Sequence, residues 1–345
     1  MGTVVGDPPL DGPPVIRRLR ERRAELTRLT VRRALAAPVV VLAVTLAAFA
    51  LAGASPLNPL TAHFGSGYER MTAADRSAAA AALGTDLPWW QAWGRWIAGL
   101  ATGDGGYSPT YRQPVVEVLA ERIPWTVGLS AAGVGIALVV VVISGLVAAR
   151  RPHGTVDRAL AGLAVALSSV PTFALALGSV AVFAVALRWL PVAGAAPPGE
   201  AATIGGVVRY GLLPACVLAA GQVPWLLLAF RRAVTEAADS PPVAEARARG
   251  LAEWTVLTGH VAPVAWAPLI ALVGARVPEV MVGSLVVETV FAWPGLAAAT
   301  VDAALGADFA LLAAVTVAAS LTVLAGTWIA DCLLLLADPR VRIDA

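Results

Sequence analysis

Residues 239–263 read Asp239-Ser240-Pro241-Pro242-Val243-Ala244-Glu245-Ala246-Arg247-Ala248-Arg249-Gly250-Leu251-Ala252-Glu253-Trp254-Thr255-Val256-Leu257-Thr258-Gly259-His260-Val261-Ala262-Pro263, a polar stretch wedged between two apolar runs of membrane length. Ser240 can cap a helix whose first turn tolerates Pro241 and Pro242. Val243 to Arg249 gives two helical turns, and the small alanines at 244, 246 and 248 leave the backbone accessible to a clasping protein. Gly250 permits the left-handed geometry that ends one helix and redirects the chain. Leu251 to Val261 can form a second helix carrying Glu253, Trp254 and His260. On physical grounds alone, the pattern fits an ordinary amphipathic loop as well as a docking element. A simple pore has little use for two short helices hinged on a glycine, whereas a membrane protein that receives motion from a separate soluble subunit does.

Outward from this stretch the chain is strongly apolar. Of its 345 residues 58% are hydrophobic and 14% charged, and the mean hydropathy is +0.75. A soluble domain of that composition would expose long apolar runs to water. A membrane helix needs about 20 apolar residues at about 1.5 Å rise each. Six such runs lie at about 34–53, 126–149, 159–187, 212–230, 264–287 and 309–337, so the fold class is an all-α membrane protein with six transmembrane helices. The third and sixth runs are long enough to tilt or to hold a break, and Pro171 sits inside the third.

All 25 basic residues are arginine. Without a lysine the chain cannot carry the P-loop that holds nucleotide phosphates. Cys216 and Cys332 lie in apolar runs and read as packing thiols, and the scattered His63, His153 and His260 suggest no metal cluster.

Arginine placement sets the expected orientation. Arg17, Arg18, Arg20, Arg22, Arg23, Arg28, Arg32 and Arg33 precede the first run. Arg150, Arg151 and Arg158 follow the second, Arg231, Arg232, Arg247 and Arg249 follow the fourth, and Arg340 and Arg342 follow the sixth. The opposite loops are poorer for their length, so both termini and the 239–263 segment are expected on the cytoplasmic side. The first run could also be read as a signal peptide ending at Leu51-Ala52-Gly53-Ala54-Ser55, but its length and its 33 preceding residues favour an uncleaved span. The expected organisation is a cytoplasmic extension and basic helix (1–33), a first span with an outer segment (34–124), a transmembrane core (125–340) and a short tail (341–345).

Within the outer segment, Thr72 with Asp75 marks a helix start and Gly84 a helix stop. Trp89, Trp93, Trp96 and Leu100 then fall on one helical face, which suits a helix lying at the membrane–water interface.

Several motifs, in order, carry a resemblance. Ala246-Arg247-Ala248-Arg249-Gly250-Leu251, with His260 ten residues after the glycine, resembles the coupling loop of permease subunits in bacterial ABC importers of the dipeptide/oligopeptide/nickel family. The likeness runs from about Arg32 onward. It takes in Leu83-Gly84-Thr85-Asp86-Leu87-Pro88, Gly103-Asp104-Gly105-Gly106-Tyr107-Ser108 and Ser169-Val170-Pro171-Thr172-Phe173. Leu190-Pro191-Val192-Ala193-Gly194, Leu213-Pro214-Ala215, Val287–Leu296 and Asp338-Pro339-Arg340-Val341-Arg342 continue it. Departures are Ala244 at the usual glutamate with Glu245 next, Pro242 for a tyrosine, Val264 for an asparagine, and Asn58-Pro59 for Gly-Asp-Pro.

The resemblance implies a type I ABC importer permease fold with an extracytoplasmic helical segment between the first two spans. The chain would sit multi-pass in the cytoplasmic membrane and do no bond chemistry. It implies coupling to ATPases through residues 243–262, with Ala244, Glu245, Ala246, Arg247, Ala248, Arg249, Gly250, Leu251 and His260 in contact. The implied partners are a second permease, two cytoplasmic ATPases, an extracytoplasmic solute-binding protein and membrane lipid, with no nucleic acid. This chain would bind no cofactor, ATP and Mg residing on the partners.

Charges inside spans are costly and face a cavity or a partner. Arg276 and Glu279, flanking Pro278, are candidates for a substrate path, and their i, i+3 spacing equally allows a structural pair. Glu288 lies at the outer edge of its run as a candidate outer-gate residue, and Asp331 reads as structural, pairing with an arginine. An ion-coupled secondary transporter is the alternative, but it predicts inverted repeats that are not evident here. An intramembrane enzyme would need a nucleophile or metal-ligand cluster at depth, which the sequence lacks.

Overall fold

The computed structural model describes residues 14–337, apart from 57–58, 84–85 and 152–153. Residues 1–13, Asn58, the Gly84 helix stop, His153, the side chain of His63 and the 338–342 motif lie outside the described residues.

Helix α1 (Pro14–Ala54) is unbroken through Pro38, so it crosses the 33/34 boundary at which a basic helix was expected to give way to a span. It lies along α14 (Phe309–Ala337). Arg33 donates to Asp331 at 2.6 Å and to Thr327 at 3.1 Å, the pairing expected for Asp331, and the Trp328 indole reaches Thr30 at 3.2 Å.

Four short helices follow: α2 (Pro59–Phe64), α3 (Gly67–Arg70), α4 (Ala73–Leu83) and α5 (Trp89–Ala101). Thr72 and Asp75 cap α4 reciprocally, each backbone N–H donating 3.2 Å to the other's side chain. The Thr72 hydroxyl, donating to the Asp75 carboxylate at 2.7 Å, and then the Thr72 backbone N–H draw that carboxyl below its usual range. The tryptophan stripe of α5 has protein partners that its spacing did not specify. Trp93 donates to Thr45 of α1 at 3.1 Å, and the buried Trp96 packs on Phe49 and donates to the Gly105 carbonyl at 3.0 Å. The stripe is a packing face against α1 and the following loop, where indole N–H groups find protein acceptors. A two-residue hairpin, β1 (Tyr107–Ser108) with β2 (Gln113–Pro114), closes the outer segment.

The transmembrane core comprises α6 (Val115–Ala149), α7 (Thr155–Ser168), α8 (Thr172–Ser179), α9 (Ile204–Ala238), α10 (Pro241–Ala248), α11 (Glu253–Val256), α12 (Ala262–Val290), α13 (Leu296–Leu305) and α14. Wide π-helical turns extend α8 over Val180–Ala186 and join α11 to α12 over Leu257–Val261. Helices α1, α6, α9, α11–α12 and α14 are each long and apolar enough to cross a membrane. The expected third span is instead two helices, α7 and α8, bent by 100°. Pro171 causes the break, since it lacks an N–H and disfavours the helical region for Val170.

Helix α9 is central, packing on α6, α12, α7 and α8. Lipid tails are as apolar as leucine, so helices in a bilayer associate through close van der Waals fit. Two glycines of α6 supply it: a Cβ on Gly133 would stand 2.7 Å from Leu218, and one on Gly145 would stand 2.5 Å from Phe230. At Gly128 the same atom would meet nothing within 4 Å. Gly145→Val should therefore cost about 1–3 kcal/mol through overpacking, read as a lower midpoint in a denaturing-detergent titration. Gly128→Ala should leave the midpoint unchanged, and an unshifted midpoint for Gly145→Val would exclude the tight α6–α9 contact.

Candidate functional site

The 239–263 segment folds as a short helix and a redirected return. Ser240 starts α10 through its backbone, its carbonyl accepting from Val243 and Ala244 at 3.1 Å each. Its hydroxyl donates backwards to Ala237 at 2.6 Å instead of capping the helix; Pro242 removes the N–H at N2, and the Val243 N–H at N3 is taken by the Ser240 carbonyl. Gly250 adopts φ +76°, with Gly250 N–H on Arg247 at 2.9 Å and Leu251 N–H on Ala246 at 3.4 Å, the two bonds of a Schellman ending.

One face of α10 is sealed. Val243 is 1% exposed and Ala246 4%, and both join Val256, Leu257, Val261 and Phe230 in one apolar cluster. Ala246 was expected to be open to a partner and is instead core. Ala244, Glu245, Ala248, Arg249 and Leu251 face outward, with Glu245 and Arg249 paired. Arg247 is a staple: it grips both Glu253 oxygens, at 2.8 and 3.2 Å, and the Ala238 carbonyl at 3.2 Å. The second expected helix is the foot of α12, since α11 passes through its π-helical turn into Ala262 without a stop. His260 sits on that turn, half-buried, with Nδ1 enclosed and without a hydrogen-bond partner. Arg150, at the end of α6, lies 4.9 Å over the exposed Trp254 ring.

The same end of the bundle holds an ion pair that sequence patterns did not single out. Asp157, in the first turn of α7, accepts from Arg231 of α9 at 2.6 Å. The available signal was a lone carboxylate in an arginine-rich loop.

Arg276 and Glu279 line a cleft of about 510 Å³ between the α7–α8 break, α9 and α12. Arg276 pairs with Glu279, donates to Gln222 at 2.9 Å and lies 5.1 Å over the Trp225 ring. Gln222 and Trp225 were not foreseen, although a glutamine inside an apolar run is costly enough to mark a site. Structural pairing and cleft exposure are thus both present at once.

Glu288 does not face outward. It is 1% exposed and accepts from the Ala297 backbone at 2.8 Å, while neighbouring Thr126 of α6 accepts from Leu296 at 2.8 Å. In this conformation it ties α12 to α13 and cannot touch an external protein. The turn beyond it is equally fixed: the Trp293 indole donates to Trp125 at 3.2 Å, and Gly194 N–H donates to Phe291 at 2.8 Å. Nearby, Asp308 accepts from Ser108 at 2.6 Å and caps α14 through Leu311 at 3.1 Å. Tyr111 donates to Asp302 and stacks under Arg122. Cys216 is exposed, not packed, and Cys332 is half-buried.

A bundle of apolar helices with a polar, partly sealed return at one end and a charged cleft within is the architecture of a membrane transport subunit. The chain belongs to the family of binding-protein-dependent transport system inner membrane components, whose model matches residues 141–343. Its fold is that of a type I ABC importer permease, and as a permease subunit it is not an enzyme. It is similar to the oligopeptide transport system permease protein AppB of Bacillus subtilis (strain 168), 29% identical over 90% of this chain and 98% of that one. A putative peptide transport system permease protein of Brucella abortus (strain 2308) is 32% identical over 92% and 100% of the two chains. The dipeptide transport system permease protein DppB of Lactococcus lactis subsp. cremoris (strain MG1363) is 27% identical over 76% and 84%.

Two outcomes follow from this geometry. Arg247→Ala should speed hydrogen exchange over 241–251 by about two- to fivefold, the worth of a half-exposed pair, with the apolar helices unaffected; unchanged exchange would show that Val243 and Ala246 alone seat α10. Burial first, then the bond to Asp302, push the Tyr111 phenol up to about 12. A raised folded value favours the protonated form. The stability it brings is full below about pH 10 and lost on rising to about pH 12. Ultraviolet difference titration of the protein against Tyr111→Phe should place the missing phenol near pH 12, and a value near 10 would exclude both the burial of the ring and the Asp302 contact.

Proposed function

We propose that this permease subunit moves peptides, or a related small solute, inward across the cytoplasmic membrane, and that residues 243–262 take up the motion of ATPase subunits. The carrying observation is the two-faced α10: Val243 and Ala246 are locked into the bundle while Ala244, Glu245, Ala248 and Arg249 face out. A helix held on one side and open on the other transmits displacement instead of deforming.

The route inward is short. Arg247 holds α10 to the end of α9 and to α11, and α11 is continuous with α12. Helices α9 and α12 also carry Gln222, Trp225, Arg276 and Glu279, which line the cleft. Displacement of α10 therefore reaches both walls of the proposed solute path without passing through a flexible loop. A second, similar permease would close the cleft's open side, an external binding protein would deliver solute, and ATP with Mg would be bound by two ATPases. Peptide as cargo is supported by the names of the similar permeases. The arginine distribution supports a cytoplasmic location for both termini and α10.

The test is co-expression with the neighbouring transport genes, purification, and ATPase assay in lipid. Gly250→Pro forces φ from +76° to about −65°, and should abolish binding-protein-stimulated ATPase activity. Ala244→Arg, at an exposed position that leaves the bundle intact, should reduce that stimulation at least about tenfold by blocking a close helix contact. A chain that purifies without ATPases and transports on an ion gradient would replace this reading with the secondary-transporter one.

A further inference from the structure

Arg276 is held in an unusual way for a cation inside a membrane bundle. Its side chain is 16% exposed, fixed by the Gln222 amide oxygen at 2.9 Å and by the Trp225 ring at 5.1 Å, both on α9. These partners orient the guanidinium without neutralising it. Among the described residues its acidic partner is Glu279, one turn along the same helix and 56% exposed. Pairing of that kind is weak and exchangeable, because water competes for the open carboxylate. A structural pair meant to bury a charge would put the carboxylate on the neighbouring helix and enclose it, as Asp157 does for Arg231.

Resting on the reading of the cleft as the solute path, we propose that Arg276 and Glu279 form an exchangeable pair for the two charged ends of a zwitterionic solute, a short peptide with free termini. The solute carboxylate displaces Glu279 and takes the Nη edge of Arg276, the geometry in which guanidinium and carboxylate form two parallel bonds. Nε stays on Gln222, so the arginine does not move. The released Glu279 carboxylate takes the solute ammonium. The exchange conserves charge: one internal ion pair becomes two, and the cleft never holds an unpaired ion. The space suffices, since about 510 Å³ lies within the range of small-molecule sites. The remaining wall is mostly apolar, with Val170, Pro171, Val282 and Val286 beside the small hydroxyls of Ser168 and Thr172, and accepts varied side chains.

The experiment uses the assembled transporter in nanodiscs, with Cys216→Ser and Cys332→Ser removing native thiols and Val282→Cys reporting from the cleft. Maleimide labelling is timed with alanylalanine, its C-terminal amide, or N-acetylalanine, added without binding protein. Alanylalanine should protect at concentrations at least about tenfold lower than its amide, the worth of a charge-assisted bond. Arg276→Gln should erase that difference. Glu279→Gln leaves Arg276 on Gln222 and Trp225 and removes the competitor, so N-acetylalanine should protect at about two- to fivefold lower concentration. Equal protection by acid and amide, protection by neither, discrimination that survives Arg276→Gln, or no gain in Glu279→Gln would each overturn the proposal. Loss of binding-protein-stimulated ATPase activity in the unsubstituted complex would instead count against the transport reading itself.

Discussion

Phe230 occupies its place only because Gly145 has no side chain. The ring is wholly buried, an added Cβ on Gly145 would stand 2.5 Å from it, and Trp266 of α12 lies 6.0 Å away on another side. It also belongs to the cluster that takes in Val243, Ala246, Leu257 and Val261. One aromatic ring thus joins α6, α9, α12 and the polar return. In a bilayer, where apolar surface gains nothing from leaving lipid, such steric fit is what distinguishes one helix arrangement from another. The seal on α10 depends on it.

The spans were readable because hydropathy over about 20 residues reports directly on membrane depth. The Gly250 turn, the Thr72–Asp75 box and the Asp331 pairing were readable because each is local chemistry or a charge that must find a partner. What escaped was contact across the fold. The tryptophan face of α5 was readable as a face, but its acceptors, Thr45 and the Gly105 carbonyl, lie 48 and 9 residues away. Glu288 at the end of an apolar run reads as outward, yet its acceptor role toward Ala297 needs the chain to turn back at Trp293. The break at Pro171 was visible as a proline, but not its 100° angle, which is set by what packs on either side.

Charge placement follows a consistent logic. Two pairs, Arg231 with Asp157 and Arg33 with Asp331, join different helices at the end of the bundle that carries α10; the first is largely enclosed and the second about one-third exposed. An unpaired Asp157 would carry most of the cost of leaving water, so that pair holds α7 and α9 at one separation. Two more exposed pairs, Arg249 with Glu245 and Arg232 with Glu236, join residues four apart and contribute little to the fold, whereas the half-exposed Arg247–Glu253 pair joins α10 to α11. Arg276 with Glu279 belongs to neither group: one member is enclosed, the other open, and both lie on one helix beside a cleft. That asymmetry is expected of a charge kept available, and it separates this pair from the staples.

The cleft walls share a further property. The α7–α8 passage is broken outright at Pro171, and α9 and α12 each contain a proline at the level of the cleft, Pro224 beside Trp225 and Pro278 beside Glu279. Each internal proline removes one i→i−4 bond and crowds the preceding turn. A helix bends most readily where its ladder is interrupted. Below this level α9 and α12 are fixed to α10 by Arg247, Val243 and Ala246; above it they are fixed by the Trp293 turn and the Gly194–Phe291 bond. Each helix also carries a second proline, Pro214 in α9 and Pro268 in α12, so imposed bending is shared between those levels and the cleft. The residues that meet solute on the proposed reading therefore stand at one of the levels where the ladders are interrupted.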